Sequence, residues 1–182
     1  MVPLVVSYVL VAALTFASAR KRSGAADPRN RGSSRLLAVT HTVGFITPAI
    51  CAAFRIGRLP IGSAFAWGAV ALQVGAIALQ LWAMTTLGES FTVTLRTTSG
   101  QRIVRSGPYR RLRHPAYLGQ ILFWLGLAAA SRSAVSLAVV AVVVIIGYGY
   151  RIHVEELMLA RSFGHEYAEY RRATWRLLPG VW

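Results

Sequence analysis

Two short stretches hold the residue types that can do chemistry. The first is Arg113-His114-Pro115-Ala116-Tyr117. Proline suits the first turn of a helix, where its missing N–H costs nothing, so Pro115 marks a helix start and sets His114 at its N-terminal end. Free backbone N–H groups and the positive end of the helix dipole gather there beside Arg113, which makes a seat for an anionic group. Tyr117 follows three residues after His114, on roughly the same helical face. The second stretch is Arg151-Ile152-His153-Val154-Glu155-Glu156, followed by Phe163-Gly164-His165-Glu166-Tyr167-Ala168-Glu169-Tyr170. Four of the six acidic residues fall in it. Arg151 and Glu155 lie four apart on one face, and a guanidinium's planar fork matches a carboxylate. His153 and Glu156 are the neighbouring groups able to take a proton.

The elements that position these residues are apolar. Of 182 residues 55% are hydrophobic and only 14% charged, where soluble domains carry about a quarter charged. A formal charge of +14 would suit nucleic acid if it formed a stripe on a soluble fold. Instead the basic residues fall between long apolar runs, so no nucleic-acid partner is expected. Five runs approach the roughly 20 residues that a bilayer core needs. They are Val2 to Ala19, Leu36 to Phe54, Ile61 to Leu87, Ala116 to Ala130 and Ala134 to Tyr150. The last two meet at Ser131-Arg132-Ser133, which reads as a tight helical hairpin. Ser23 to Ser34 reads as a flexible polar connector with no role beyond topology.

Cytoplasmic loops are enriched in Lys and Arg. Residues 20–35, 88–115 and 151–182 hold 17 of the 20 basic residues, leaving Arg55, Arg58 and Arg132 on the other side. This predicts a multi-pass protein of the cell membrane with its N-terminus outside and its C-terminus and site cytoplasmic. The first run has no charge before it and Arg20-Lys21-Arg22 after it, which favours a retained span over a cleaved signal peptide. The fold class expected is all-α, an integral membrane bundle of five transmembrane helices with a cytoplasmic C-terminal helical segment. It forms one domain over residues 1–182, with three spans in 1–87 and the loop, hairpin and C-terminal segment in 88–182. Cys51 is the only cysteine and sits in an apolar run, so neither an intramolecular disulfide nor a Cys-based metal site is possible, and no metal is expected.

Gly107-Pro108-Tyr109, then Arg113-His114-Pro115-Ala116-Tyr117-Leu118-Gly119, then an apolar hairpin, then Glu155-Glu156-Leu157 and Phe163-Gly164 with Tyr167 and Tyr170 resembles the isoprenylcysteine carboxyl methyltransferase family and its phospholipid methyltransferase relatives. The resemblance spans about Leu87 to Trp182. It implies S-adenosylmethionine as cofactor, with contacts at Gln101, Arg102, Ile103, Val104, Tyr109, His114, Pro115, Ala116, Tyr117 and Glu155. It also implies that Arg151 binds the acceptor. Arg151, Glu155 and Glu156 form the expected catalytic group. Many members have His-x-Leu-Val where this chain has Gln101-Arg102-Ile103-Val104, so backbone contacts are what carry over there. A further polar contact of the family falls near Arg96.

The physical reading agrees with these roles. The cofactor bears a carboxylate, an ammonium, a ribose and a cationic sulfur, so Arg113, His114 and the helix terminus suit its carboxylate and Glu155 its ammonium or ribose. Methyl transfer neutralises charge, so positioning and exclusion of water supply much of the rate. A carboxylate acceptor needs only an orienting cation such as Arg151, whereas a phenol or amine needs a base, with His153 and Glu156 at hand. The expected partners are membrane lipids and a lipophilic methyl acceptor that enters from the bilayer: a carboxylate of an isoprenylcysteine-like or other lipid-like molecule, a long-chain phenol or pyrone, or a phospholipid headgroup amine. A non-catalytic lipid-binding membrane protein is the reading of a different class. Phe163, Tyr167 and Tyr170 read as packing, Trp175 and Trp182 as interfacial anchors, and His41 as a polar residue facing either the bundle interior or the acceptor tunnel, with packing favoured.

Overall fold

Inside a bilayer no water pairs with exposed backbone, so apolar runs of this length must close their own hydrogen bonds as helices. The computed structural model describes residues 1–19, 31–88 and 103–180, with side chains described at all of these except 13–19 and 31. Among the described residues five α-helices form: α1 (Val2–Ala19), α2 (Arg31–Ala53), α3 (Ser63–Leu87), α4 (Pro115–Ala130) and α5 (Ala134–Ala173), with a 3₁₀ turn at Gly107–Arg110. Among the described residues there is no β-strand, only isolated bridges at Arg58–Ser133 and Leu112–Trp175. Gly32–Ala53, Ser63–Leu87 and Ala134–Ala173 are long and apolar enough to cross a membrane, while Val2–Ala12 and Pro115–Ala130 are shorter apolar helices. The fold is thus a helical, multi-pass membrane bundle.

Two boundaries differ from the sequence expectation. α2 begins at Arg31, so Ser33 and Ser34 are helical and not part of a flexible connector. Hydropathy does not find this turn because its serines meet a polar side chain and not lipid. α5 does not stop where its apolar stretch ends at Tyr150 but runs 40 residues, broken only at Gly164 with φ 50° and ψ −117°.

Small residues bring α3 and α4 into backbone contact. A Cβ on Gly119 would lie 2.8 Å from the Ala76 carbonyl oxygen, and one on Gly126 2.6 Å from Gln73 Cγ. The facing stripe Ala69, Gln73, Ala76, Gln80 and Ala83 is buried against them, as in membrane interfaces where packing replaces the hydrophobic effect between helices. Phe123, Trp124, Leu127, Val140, Val144 and Tyr148 fill the core, and Cys51 is buried. Val142, Ile145 and Ile146 stay exposed on α5, the arrangement a lipid-facing helix requires. The predicted hairpin forms at 131–133, where the Ser133 hydroxyl caps α5 by accepting from Ser136 N at 3.0 Å.

α2 and α5 then run together. Ser33 meets Arg151 near one end, and residues 56–57 meet Ser133–Ala134 at the other. The chemistry-bearing residues gather at the first of these ends.

Candidate functional site

Pro115 opens α4 as expected, with His114 at its N-cap and both residues buried. The next turn presents Tyr117. Its hydroxyl donates to Glu155 Oε2 at 2.5 Å and accepts from Arg151 Nε at 3.2 Å. Arg151 is 2% exposed, and its Nη1 donates to Ser33 Oγ at 2.9 Å and lies 3.5 Å from Ser34 Oγ. Three helices therefore supply one hydrogen-bonded row: α2 through Ser33, α5 through Arg151 and Glu155, and α4 through Tyr117. A buried guanidinium without such partners would cost several kcal/mol, on the order of a broken buried ion pair. The half-buried Glu155 carboxylate forms no ion pair among the described residues.

A second row lies one turn deeper in the apolar part. Tyr148 is fully buried, donates to Gln120 Oε1 at 2.8 Å and lies 2.8 Å from His41 Nε2. The His41 ring stacks on Trp124 at 5.2 Å between centroids. Tyr117, part of the first row, reaches the second with its ring centroid 5.8 Å from that of Tyr148, and it stacks on His114 at 5.8 Å.

Glu156 points elsewhere. It lies two turns past the apolar part of α5, 6% exposed, where Oε1 accepts from Arg113 Nε at 2.9 Å and lies 3.4 Å from His114 Nε2. Oε2 accepts from Arg176 Nη2 at 2.6 Å. Burial alone would raise its pKa. Hydrogen bonds from His114, Arg176 and Arg113 outweigh burial and hold the carboxyl well below the usual carboxylate range. Arg113 also donates to the carbonyls of Arg171 and Thr174. Backbone bonds zip the same segments: Arg113 N to Trp175 O at 2.8 Å, Trp175 N to Arg111 O at 2.8 Å, and His114 N to Arg176 O at 3.2 Å.

The approach loop folds over this cluster. Tyr109 is buried, and its carbonyl accepts from Tyr170 Oη at 2.8 Å. Burial, then the nearby Glu155 charge, push the Tyr109 hydroxyl well above its ordinary pKa. The Arg105 guanidinium lies 5.8 Å from the Tyr170 ring centroid.

Of the residues singled out in the sequence, Arg151 and Glu155 both bond the Tyr117 hydroxyl, and Tyr109 is buried in the approach loop. His114, Pro115 and Ala116 line the start of α4. Ile103 and Val104 are half-buried in the irregular chain leading to Gly107. Gln101 and Arg102 lie outside the described residues, as do Arg96 and Trp182. Arg113 and His114, read from the sequence as part of an anion seat, face Glu156. Ser33, Ser34, Gln120, Tyr148 and Arg176 were not singled out. A long-range partner leaves no local signal, although polar Gln120 and Tyr148 within apolar runs are the kind of residue that marks an interior contact.

Fold and site together define a class: a polytopic helical membrane protein whose polar end joins a buried arginine, a tyrosine and a carboxylate. This chain belongs to the isoprenylcysteine carboxyl methyltransferase family, whose model matches residues 69–161. It is 30% identical over 116 residues to the protein-S-isoprenylcysteine O-methyltransferase of Dictyostelium discoideum, covering 63% of this chain and 48% of that one. It is 40% identical over 77 residues to the cobalt-zinc-cadmium resistance protein CzcN of Cupriavidus metallidurans, covering 42% of this chain and 35% of that one. The structure of the eukaryotic intramembrane Ras methyltransferase ICMT superposes with a TM-score of 0.68 at 20% identity, over 81% of this chain and 53% of that one. The chain spans about half the length of the proteins it matches.

Proposed function

We propose that this protein is an S-adenosylmethionine-dependent methyltransferase that O-methylates a carboxylate of an isoprenylcysteine-like or other lipid-like acceptor reaching the site from the bilayer. The observation that carries the reading is the Ser33–Arg151–Tyr117–Glu155 row, which sets a held cation and a carboxylate with no ion pair among the described residues on either side of one hydroxyl. The residues present fit the cofactor. Glu155 has the charge to bind its ammonium or ribose, and the first N–H groups of α4 suit its carboxylate. In this reading Gln101, Arg102, Ile103, Val104 and Tyr109 supply the remaining cofactor contacts. S-adenosylmethionine supplies, when bound, an electrophilic methyl group on a cationic sulfur.

Arg151 orients the acceptor carboxylate, which is ionised at neutral pH and needs no base. Glu156 serves as an ionic anchor and not as a proton acceptor, because both oxygens are held by cations. His153 is exposed. With neither group placed as a base, a carboxylate acceptor is favoured over a phenol or an amine. Calorimetric titration of S-adenosylhomocysteine into detergent-purified protein tests the cofactor site: saturable binding by wild type, weakened in Glu155→Gln, is expected. No binding by folded wild type sinks the reading and leaves a lipid-binding protein.

All five helices cross the cell membrane in this reading, with the N-terminus outside and the site cytoplasmic, supported by the 17 basic residues counted toward that side. A Ser131→Cys label reachable from outside intact cells is expected in a Cys51→Ala background. Labelling only after permeabilisation reverses the orientation.

A further inference from the structure

At the other end of the bundle, about 30 Å away along α5 by helical rise, three arginines line one cleft. Arg55, Arg58 and Arg132 share it with Cys51, Ser131 and Ser133. The cleft is built by two loops cross-linked to each other. Leu59 N donates to Arg132 O at 2.8 Å, Ala134 N to Gly57 O at 2.9 Å, Ser133 Oγ to Ile56 O at 2.7 Å, and Arg132 Nη1 to Ile61 O at 3.0 Å. Arg55 and Arg132 hold φ of 56° and 55°, a left-handed backbone that glycine or asparagine adopts more readily. Bulky cations therefore occupy two strained positions where easier residues exist.

Among the described residues no carboxylate balances them. Residues 31–88 and 103–154 contain no Asp or Glu, and the described carboxylates all lie from Glu155 onward, near the far end of α5. Arg55 and Arg58 are exposed and form no ion pair among the described residues. Beside them Phe54 is 76% exposed and Ile56 also faces outward. Guanidinium groups at the rim of an apolar bundle, next to outward-facing apolar side chains, complement a molecule that is anionic at one end and hydrocarbon at the other.

We propose that this cleft is a binding site for the phosphate of an anionic phospholipid, with Arg55, Arg58 and Arg132 on the phosphate and Phe54 and Ile56 against the acyl chains. A free phosphate would share the arginines but gain nothing from the apolar rim.

Cys51, the only cysteine, lines the cleft and reports on its occupancy. The full chain is placed in nanodiscs of phosphatidylcholine, with or without phosphatidylglycerol, or with inorganic phosphate in the buffer, and Cys51 alkylation is followed by mass spectrometry. Phosphatidylglycerol is expected to slow alkylation by about threefold or more in wild type, and not in Arg55→Asn/Arg58→Gln, whose Asn keeps the left-handed backbone. Native mass spectrometry of the same samples is expected to retain one more phosphatidylglycerol on wild type than on the variant. Equal slowing or equal lipid retention in both proteins overturns the proposal, as does the same protection by inorganic phosphate, which would make the cleft a free-anion site. If Cys51 is unreactive throughout, the lipid count alone decides.

Discussion

The Tyr117 hydroxyl donates to Glu155 Oε2 at 2.5 Å while the same oxygen accepts from Arg151 Nε at 3.2 Å, so one phenol couples an anion on α5 to the cation four residues before it. Removing that oxygen while keeping the ring tests whether the row acts as a unit. Tyr117→Phe is expected to lower turnover by about tenfold to a hundredfold, with a smaller change in S-adenosylhomocysteine affinity. Equal losses in both would assign Tyr117 to cofactor binding alone.

Glu155 and Glu156 are neighbours with different partners, and their substitutions should differ in kind. Glu155→Gln keeps the bond from Tyr117 and leaves the charge cluster intact. It is expected to weaken S-adenosylhomocysteine binding by about tenfold while shifting thermal stability little. Glu156→Ala leaves Arg113, Arg176 and His114 facing an empty position, and a loss of about 3 kcal/mol in unfolding free energy is expected.

Acid should separate the same pair. The Glu156 pKa is depressed in the folded state, so its contribution to stability is fully present above the ordinary carboxylate value and is lost as pH falls through the depressed one. Melting temperature measured from about pH 5 down to about pH 2.5 is therefore expected to fall more steeply for wild type than for Glu156→Gln. Parallel curves would remove the cluster from the list of acid-sensitive contacts.

Much of this was legible in the sequence, for identifiable reasons. The apolar runs placed α1, α3 and α4 because a bilayer leaves the backbone little alternative to helix. Pro115 marked the start of α4, and the four-residue spacing put Arg151 and Glu155 on one face. What could not be read was which partner each charge would find. Arg113 and His114 stood beside a helix terminus, as an anion seat requires, yet Glu156 took them, because Arg176 was brought in 20 residues later to complete the cluster. Ser33 and Ser34 looked like linker, since a helix that packs polar side chains inward has no hydropathy signature. Fold-level packing decided these contacts, and short-range pattern does not encode it.

The glycines of the α3–α4 contact give a matched comparison. Gly119→Ala pushes a methyl group toward the Ala76 carbonyl, a backbone atom that cannot rotate away, and a cost of about 2 kcal/mol is expected. Gly68→Ala meets nothing within 4 Å and is expected to be neutral or to stabilise α3 by about 0.5–1 kcal/mol. Thermal shift of the two variants in one detergent reads the difference directly.

The deeper row offers a further prediction. Tyr148→Phe leaves the His41 and Gln120 polar groups without the hydroxyl that joins them in an apolar setting. A stability loss of about 1–2 kcal/mol is expected, and His41→Leu should make it nearly additive-free, because the two substitutions remove the same bond. A double-mutant cycle measures that coupling, and full additivity would mean the bond contributes nothing.

The zipper between residues 111–114 and 174–176 has a bearing on biosynthesis. Chain grows from the N-terminus, so α4 and α5 can enter the bilayer while Glu156 still lacks Arg176. Until that residue leaves the ribosome, Arg113 and His114 have only part of their final surroundings, and the polar end remains unfinished. The order of synthesis thus makes the bundle first and its working end last, which leaves the site closed only in a chain translated at least through Arg176.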